Sequence, residues 1–319
     1  MADVTRDDRG QLLLVGALSL AVLFVALALI MNTAIYTQNL ATRGNDLRSD
    51  GAIEFQRAVH DGVAGSIRYV TYHNNSTVDY REPYLAYNRS FSDLGNGTAV
   101  QYAATGQATN LTNVSVTAGT RIEQDGERNF TSRNGTADWT LADGVTARNF
   151  TMVVYPDNAS LANGSLGGIV GINPFQVRFT TGGSSYDVYV SRNAFAKQLY
   201  VKVGSHSPCT VPYETGSRVR IDLTDATING TRCNPLVPIG NASGYDVSYA
   251  NGDKIDGAYT LVVDETYDDV PDAPYANETT GKDPYKTRAL YSATVGLTIE
   301  GPRTKYRSQI TVRPGEDDS

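Results

Sequence analysis

The run Tyr291-Ser-Ala-Thr-Val-Gly-Leu-Thr-Ile-Glu300 alternates apolar or small side chains with polar ones. Successive side chains of a β-strand point to opposite faces, so this period of two predicts a strand with one buried face. The same alternation returns at 306–313, and Gly301-Pro302 lies between the two runs. Together these features predict a C-terminal β-hairpin.

Other short segments after residue 74 carry the same signal and are separated by turns rich in Gly, Asn and Asp. The segments predicted as strands are 100–103, 111–117, 150–155, 176–181, 186–191, 195–203, 219–223, 245–249 and 259–263. Many short strands with such turns are typical of a β-sandwich. The pattern fits one sandwich or two, and the loop-like stretch 164–171 is the candidate boundary.

The segment from Gln11 to Met31 is different, because its 21 residues carry no charge. As a helix it spans about 30 Å, the thickness of a bilayer core, whereas the apolar part of a secretory signal peptide has about 7 to 15 residues. Apolar residues then continue near one helical face to about Tyr72. We therefore predict an α+β protein in which an N-terminal transmembrane helix extends into a stalk, followed by an all-β, sandwich-like ectodomain.

The predicted boundaries follow from these segments: 1–10 is a cytoplasmic leader, 11–35 the transmembrane helix, 36–73 the helical stalk and 74–319 the β-rich extracellular domain. The glycines at positions 44 and 51 predict a break or bend in the stalk.

The residues around the apolar run resemble a known signal. Asp7-Asp8-Arg9-Gly10-Gln11, followed by an unbroken apolar stretch, resembles the class III signal peptide of archaeal type IV pilin-like proteins. The resemblance covers about the first 40 residues and implies cleavage at Gly10–Gln11 by a prepilin-type peptidase. It also implies packing with other pilin-like helices. An uncleaved signal anchor is the alternative.

The apolar helix lacks the glutamate that many pilins carry, which favours a small assembly over a long homopolymer. Small residues let helix backbones approach closely in a membrane. Ala17 and Ala21 lie one turn apart on the same face, and we expect them to form the helix-packing contact.

Acceptor sites for N-glycosylation, Asn-x-Ser/Thr, are unusually frequent. Chance placement of the 21 Asn and 54 Ser and Thr residues gives about four such sites. The fourteen sites are Asn74, Asn75, Asn88, Asn96, Asn110, Asn113, Asn129, Asn134, Asn149, Asn158, Asn163, Asn229, Asn241 and Asn277. All of them follow the apolar segment, so the domain is predicted to be outside the cell and to be a substrate of the N-glycosylation machinery.

The charge composition excludes one class of partner. The chain has 25 Asp against 9 Glu, 21 Arg against 6 Lys, and a net charge of -7. Phosphates are repelled by an acidic surface, so no nucleic-acid partner is expected. The Asp-rich, Lys-poor composition resembles that of haloarchaeal proteins, and a GC-rich genome is the alternative reason for the Arg excess.

Few residue patterns point to chemistry. Cys209 and Cys233 are predicted to form a disulfide in an exported protein, with two buried thiols as the alternative. The acidic run at Asp264, Glu265, Asp268, Asp269 and Asp272 is a weak calcium candidate, since oxygen ligands suit calcium, and a solvated acidic loop is the alternative. We find no catalytic motif and expect neither a cofactor nor an enzymatic activity.

The sequence thus favours a single-pass, membrane-anchored, N-glycosylated surface protein, a pilin-like or pseudopilin-like component of envelope assembly, adhesion or secretion machinery. The alternative is a monomeric anchored ectodomain that binds a ligand or a glycan.

Processing of the leader is directly testable. If the peptidase cuts after Gly10, the mature chain begins at Gln11, and Gly10→Leu leaves a longer precursor because the bulky side chain blocks the cleavage site. Mass spectrometry of the membrane fraction measures both termini. Retention of Met1 or Ala2 by the unmodified protein contradicts the class III signal and leaves the signal anchor.

Overall fold

A computed structural model describes Phe24 and residues 49–315, apart from 74, 158–159, 164–172, 238–242, 278, 280 and 303. Apart from Phe24, the predicted transmembrane helix 11–35 lies outside the described residues, as do Gly10, Gln11, Ala17, Ala21 and the candidate boundary 164–171. No helix within the described ranges is long and apolar enough to cross a membrane. The chain divides into two compact units, residues 1–57 and 58–319, and the second contains the β-structure.

Within residues 49–315, two α-helices precede the strands. Helix α1, Ser49–His73, lies where a helical stalk is predicted, and Gly51 falls inside it. Helix α2, Arg81–Ala103, corrects the expectations of an all-β ectodomain and of a strand at 100–103, although the domain is β-rich as predicted. Gly95, Gly97 and Pro83 are poor helix formers, so the sequence signal is weak, whereas tertiary packing buries Pro83, Tyr87 and Thr98.

The strands form two antiparallel sheets. They are β1 Ala108–Asn129, β2 Trp139–Val145, β3 Ala147–Val154, β4 Phe175–Thr181, β5 Ser184–Asn193, β6 Gln198–Val203, β7 Cys209–Pro212, β8 Val219–Asp222, β9 Thr227–Ile228, β10 Thr231–Arg232, β11 Tyr245–Ala250, β12 Asp256–Val263, β13 Tyr285–Gly301 and β14 Thr304–Val312. Sheet A has the order β10-β9-β8-β3-β12-β1-β13-β14, and sheet B the order β2-β11-β4-β5-β6-β7. The predicted C-terminal hairpin is confirmed as β13–β14.

One apolar core joins the inner faces of the two sheets. Sheet A contributes alternate residues of β3, β8 and β12 together with Ile122 of β1, and sheet B contributes residues of β2, β4, β5, β6 and β11. Aromatic rings concentrate at one end, where Phe130 packs against Phe175, Tyr249 and Tyr259 with centroids 5.0–5.5 Å apart. The sandwich expected from the sequence is therefore a single one in the described part of the chain.

Helix α1 lies against the outer face of sheet A. Val59, Val63, Ile67 and Val70 are buried along one side of this helix. Near its C-terminus the Thr71 hydroxyl donates a hydrogen bond to the Leu290 carbonyl of β13, 3.3 Å away. The predicted amphipathic face is therefore buried over this length of α1, and the C-terminal end of the helix contacts sheet A.

Helix α2 packs against β1 and β13, and its Leu94 side chain lies close to Gly62 of α1. A Cβ atom added at Gly62 of α1 would lie 2.7 Å from a methyl group of Leu94 in α2. The missing side chain at Gly62 thus lets the two helices approach closely.

The predicted disulfide is confirmed. Cys209 and Cys233 are bonded, with Cα atoms 5.9 Å apart and a sequence separation of 24. Cys209 lies in β7 at an edge of sheet B, and Cys233 directly follows β10 at an edge of sheet A. The bond therefore ties the two sheets together, and loop closure stabilises the fold by about 3 kcal/mol in the chain-entropy model.

Gly119 in β1 provides a test of this packing. A Cβ atom there would lie 2.5 Å from the Val263 carbonyl oxygen and 2.9 Å from the Tyr291 Cβ, so the backbone itself must move. We expect Gly119→Ala to lower the free energy of unfolding by about 1–3 kcal/mol. The control is Gly65→Ala in α1, where no atom lies within 4 Å of the added Cβ. It should raise stability by about 0.5–1 kcal/mol. Denaturant unfolding measures both, and equal effects contradict the packing described.

Candidate functional site

A polar cleft of about 440 Å³ lies between the C-terminal part of α1 and the outer face of sheet A. Helix α1 supplies Arg68 and Tyr72 to one wall. The floor comes from three adjacent strands of the sheet, and the lining residues there and at the far wall are Asn149, Thr151, Val153, Arg220, Asp222, Asp225, Ala258, Tyr259 and Thr260. A cleft of this size, with several convergent polar groups, has the dimensions of a small-molecule or sugar site.

A β-bulge in β3 shapes the floor. Thr260 of β12 pairs with Thr151, but Val262 pairs with Arg148, so β3 has one residue more than its partner. Asn149 occupies the bulge with φ +49°, a left-handed conformation that Asn tolerates better than most side chains. A bulge changes the direction in which the side chains of a strand point. Here Asn149 and Thr151 both line the cleft.

The Asn149 amide makes no hydrogen bond to any described residue, although the residue is only half exposed. Its neighbours in the strand are held firmly. The Phe150 N–H donates to the Thr224 hydroxyl at 2.9 Å, and the Leu223 N–H donates to the Phe150 carbonyl at 2.8 Å. The bulge is therefore fixed by backbone contacts while the Asn149 side chain is left available.

A polar network covers the floor beside Asn149. The buried Asp222 carboxylate accepts hydrogen bonds from the Thr151 hydroxyl at 3.0 Å and the Asp225 N–H at 3.0 Å. Arg220 Nη2 lies 3.1 Å from the Thr151 hydroxyl oxygen and 3.3 Å from Asp222. Asp222 and Arg220 thus compensate each other's charge, and Thr151 is fixed between them.

The α1 wall is less constrained. Arg68 is exposed and makes no hydrogen bond or ion pair with the described residues. Tyr72 is 43% exposed, and its hydroxyl pKa is raised because surrounding protein atoms desolvate it, an effect that the nearby Arg121 guanidinium opposes. Both side chains can therefore contact a ligand in the cleft.

Arg121 fixes the C-terminus of α1. This buried side chain of β1 donates to the Thr71 carbonyl at 2.6 Å and to the Asn75 side-chain oxygen at 2.5 Å. A cation at the C-terminal end of a helix also interacts favourably with the helix dipole. The wall of the cleft is positioned by this contact.

The predicted glycan acceptors lie mainly on the surface. Three of the fourteen, Asn74, Asn158 and Asn241, are outside the described residues. Nine of the other eleven are exposed: Asn75, Asn88, Asn96, Asn110, Asn113, Asn134, Asn163, Asn229 and Asn277. Asn129 and Asn149 are half-buried. Asn113 in β1 donates a hydrogen bond to Asn88 in α2 at 3.2 Å, so two acceptors contact each other.

The acidic run proposed for calcium serves other contacts. Asp268 accepts two hydrogen bonds from Arg288 of β13, at 2.9 and 3.0 Å, and Asp272 pairs with the buried Lys286 at 2.7 Å. The Asp264 carboxylate accepts the Thr146 N–H at 2.7 Å. Asp269 accepts the Thr266 hydroxyl, and the carbonyl of Glu265 accepts the Thr120 hydroxyl.

No group of three or more metal-ligating side chains converges among the residues that the structure describes. The calcium hypothesis therefore gains no support from this geometry, and Asp268 and Asp272 are the counterions of two cations in β13. The Arg288 guanidinium also lies over the rings of Tyr80 and Tyr267, 4.9 and 4.4 Å from their centroids. No motif or spacing in the sequence predicts that Asp268 pairs with Arg288 or that Asp272 pairs with Lys286.

The Asp268–Arg288 pair predicts a pH effect. The hydrogen bonds from Arg288 lower the Asp268 pKa, so the pair's contribution to stability is present above the ordinary aspartate pKa and is lost as pH falls through the lowered value. Asp268→Asn should reduce stability at neutral pH but not at a pH where the native carboxylate is already protonated. The free energy of unfolding of both proteins, measured from neutral pH down to a pH below the ordinary aspartate pKa, tests this prediction. Asp93→Asn, at an exposed position of α2, is the control, and a pH-independent effect of Asp268→Asn contradicts the assignment.

Comparison with known proteins gives one match. A family model described as a family of unknown function (DUF7261) matches residues 6–137, less than half of the chain. The matched stretch includes both helices and β1 and ends just before β2. No curated protein and no solved structure matches the chain. The chain is thus similar, over its helices and one strand of sheet A, to a family with no assigned function.

Proposed function

We propose that this protein is a membrane-anchored, N-glycosylated cell-surface protein and a pilin-like component of envelope assembly, adhesion or secretion machinery. The observation that carries the proposal is the distribution of the acceptor asparagines. All fourteen follow the uncharged segment, and none of the eleven described ones is buried. A glycan needs an accessible acceptor, so their positions on the folded domain are compatible with modification.

The helical layer supports the pilin-like part of the proposal. Helix α1 follows the uncharged segment in the sequence, and its C-terminal turns contact sheet A, where Thr71 donates to the Leu290 carbonyl and its own carbonyl accepts from Arg121. A helix of this kind can connect a membrane segment to a folded domain. This part of the proposal also requires the cleavage at Gly10–Gln11, which the resemblance to class III signals implies.

A second candidate function has its own supporting observation. The cleft beside α1 contains Arg68, which has no partner among the described residues, and the exposed Tyr72. These features favour an anchored, monomeric ectodomain that binds a ligand or a glycan. This function requires neither cleavage of the leader nor contact with other pilin-like helices.

The proposal makes a prediction about topology and mass. Protease added to intact cells should digest the β-domain, because it lies outside the membrane. The purified protein should be heavier than the 34.4 kDa of the unmodified full chain, and chemical deglycosylation should remove the difference. A cytoplasmic protein is the protease control. Full protection in sealed cells, or an unmodified mass, contradicts the proposal.

A further inference from the structure

We propose that Asn149 carries a glycan whose first sugars lie in the cleft between α1 and sheet A. The inference rests on the proposed function, since it requires N-glycosylation, and goes beyond it by assigning one acceptor and the place of its glycan. Of the eleven acceptors that the structure describes, Asn149 is the one that lines the preformed polar cleft of about 440 Å³.

The first argument is the backbone at Asn149. A non-glycine residue with positive φ is uncommon and often marks a functional position. The bulge keeps Arg148 and Thr151 in register with β12 on either side while it turns the Asn149 side chain onto the cleft lining. The Asn149 amide nitrogen has no hydrogen-bond partner among the described residues, so it can carry a substituent without loss of a contact.

The second argument is a comparison with Asn129, because both acceptors have the sequence Asn-Phe-Thr and both are half-buried. The Asn129 amide nitrogen donates a hydrogen bond to the Asp253 carbonyl, 3.1 Å away. The threonine does not distinguish the two acceptors, because Thr131 accepts a hydrogen bond from Arg128 at 2.8 Å and Thr151 donates one to Asp222 at 3.0 Å. A substituent on the Asn129 amide nitrogen displaces its hydrogen bond to the Asp253 carbonyl, so we expect Asn149 to be modified and Asn129 to be unmodified in the folded protein.

The third argument is the chemistry of the cleft. Arg68 and Arg220 balance Asp222 and Asp225 in formal charge, so the walls suit an uncharged, hydroxyl-rich ligand such as a neutral hexose. Arginine offers only donors and a carboxylate only acceptors, and a sugar hydroxyl can bond to either. Tyr72 adds a partly exposed ring and a hydroxyl group.

The modification needs a lipid-phosphate-linked oligosaccharide as donor and the cell's oligosaccharyl transferase. The bond between the Asn149 amide nitrogen and the sugar C1 forms, and the bond between C1 and the phosphate oxygen breaks. The lipid phosphate leaves with the electron pair of that bond, and one amide proton passes to a basic group of the transferase. No oxidation or reduction is involved.

The test is site-resolved mass spectrometry of glycopeptides from the native full-length protein, before and after mild periodate, which cleaves accessible vicinal diols. We expect sugar at Asn149 and at Asn134, an exposed acceptor in the β1–β2 loop, and none at Asn129. The glycan at Asn149 should be oxidised several-fold more slowly than that at Asn134, and denaturation should abolish the difference. Arg68→Ala should also reduce the difference in oxidation rate between the two glycans, because it opens the α1 wall. Arg89→Ala, at an exposed position of α2, should leave this difference unchanged.

The outcomes separate this inference from the proposed function. If no acceptor carries sugar, N-glycosylation itself is wrong. If Asn134 is modified and Asn149 is not, or if Asn129 is modified equally with Asn149, only the assignment to Asn149 fails. If the two glycans are oxidised at the same rate in the native protein, the sugar does not lie in the cleft.

Discussion

The packing of two different layers on sheet A determines most of this structure. Sheet B covers its inner face, while the outer face is covered by helices. Eight strands at about 4.8 Å spacing are roughly 34 Å wide, and a helix with its side chains is only about 10–12 Å wide. Two helices therefore leave part of the outer face open. Most side chains of β3 and β8 at that place are polar, with Val153 as the exception, and the cleft follows from this incomplete cover.

The same sheet buries several cations. Arg121 in β1 and Lys286 and Arg288 in β13 are each less than a tenth exposed. A buried charge is costly unless it is paired and hydrogen-bonded. Tyrosine rings, main-chain carbonyls and the carboxylates after β12 provide these partners, and for this reason the acidic run is better understood as a set of counterions than as a calcium site.

The sequence pattern predicted those elements whose stability depends on residues close together in the chain. The β13–β14 hairpin could be recognised because its alternation and its Gly-Pro turn lie within about twenty residues. Helix α2 could not, because Gly95 and Gly97 oppose a helix locally and its stability comes from packing on β1 and β13. The strand predicted to begin at residue 195 begins at Gln198. Phe195 was included in the prediction because aromatic residues are common in strands, but it lies in a turn and its side chain is fully exposed.

Residue identity and short spacing were enough to predict the β-rich class, the disulfide, the uncharged segment and the positions of the fourteen acceptor asparagines. Only the tertiary structure distinguished the acceptors from one another. Asn129 and Asn149 share the tripeptide Asn-Phe-Thr, yet one amide is bonded to a carbonyl and the other lies at a bulge facing a cleft. That difference depends on strand register and on the position of α1, which are set by contacts among residues distant in sequence.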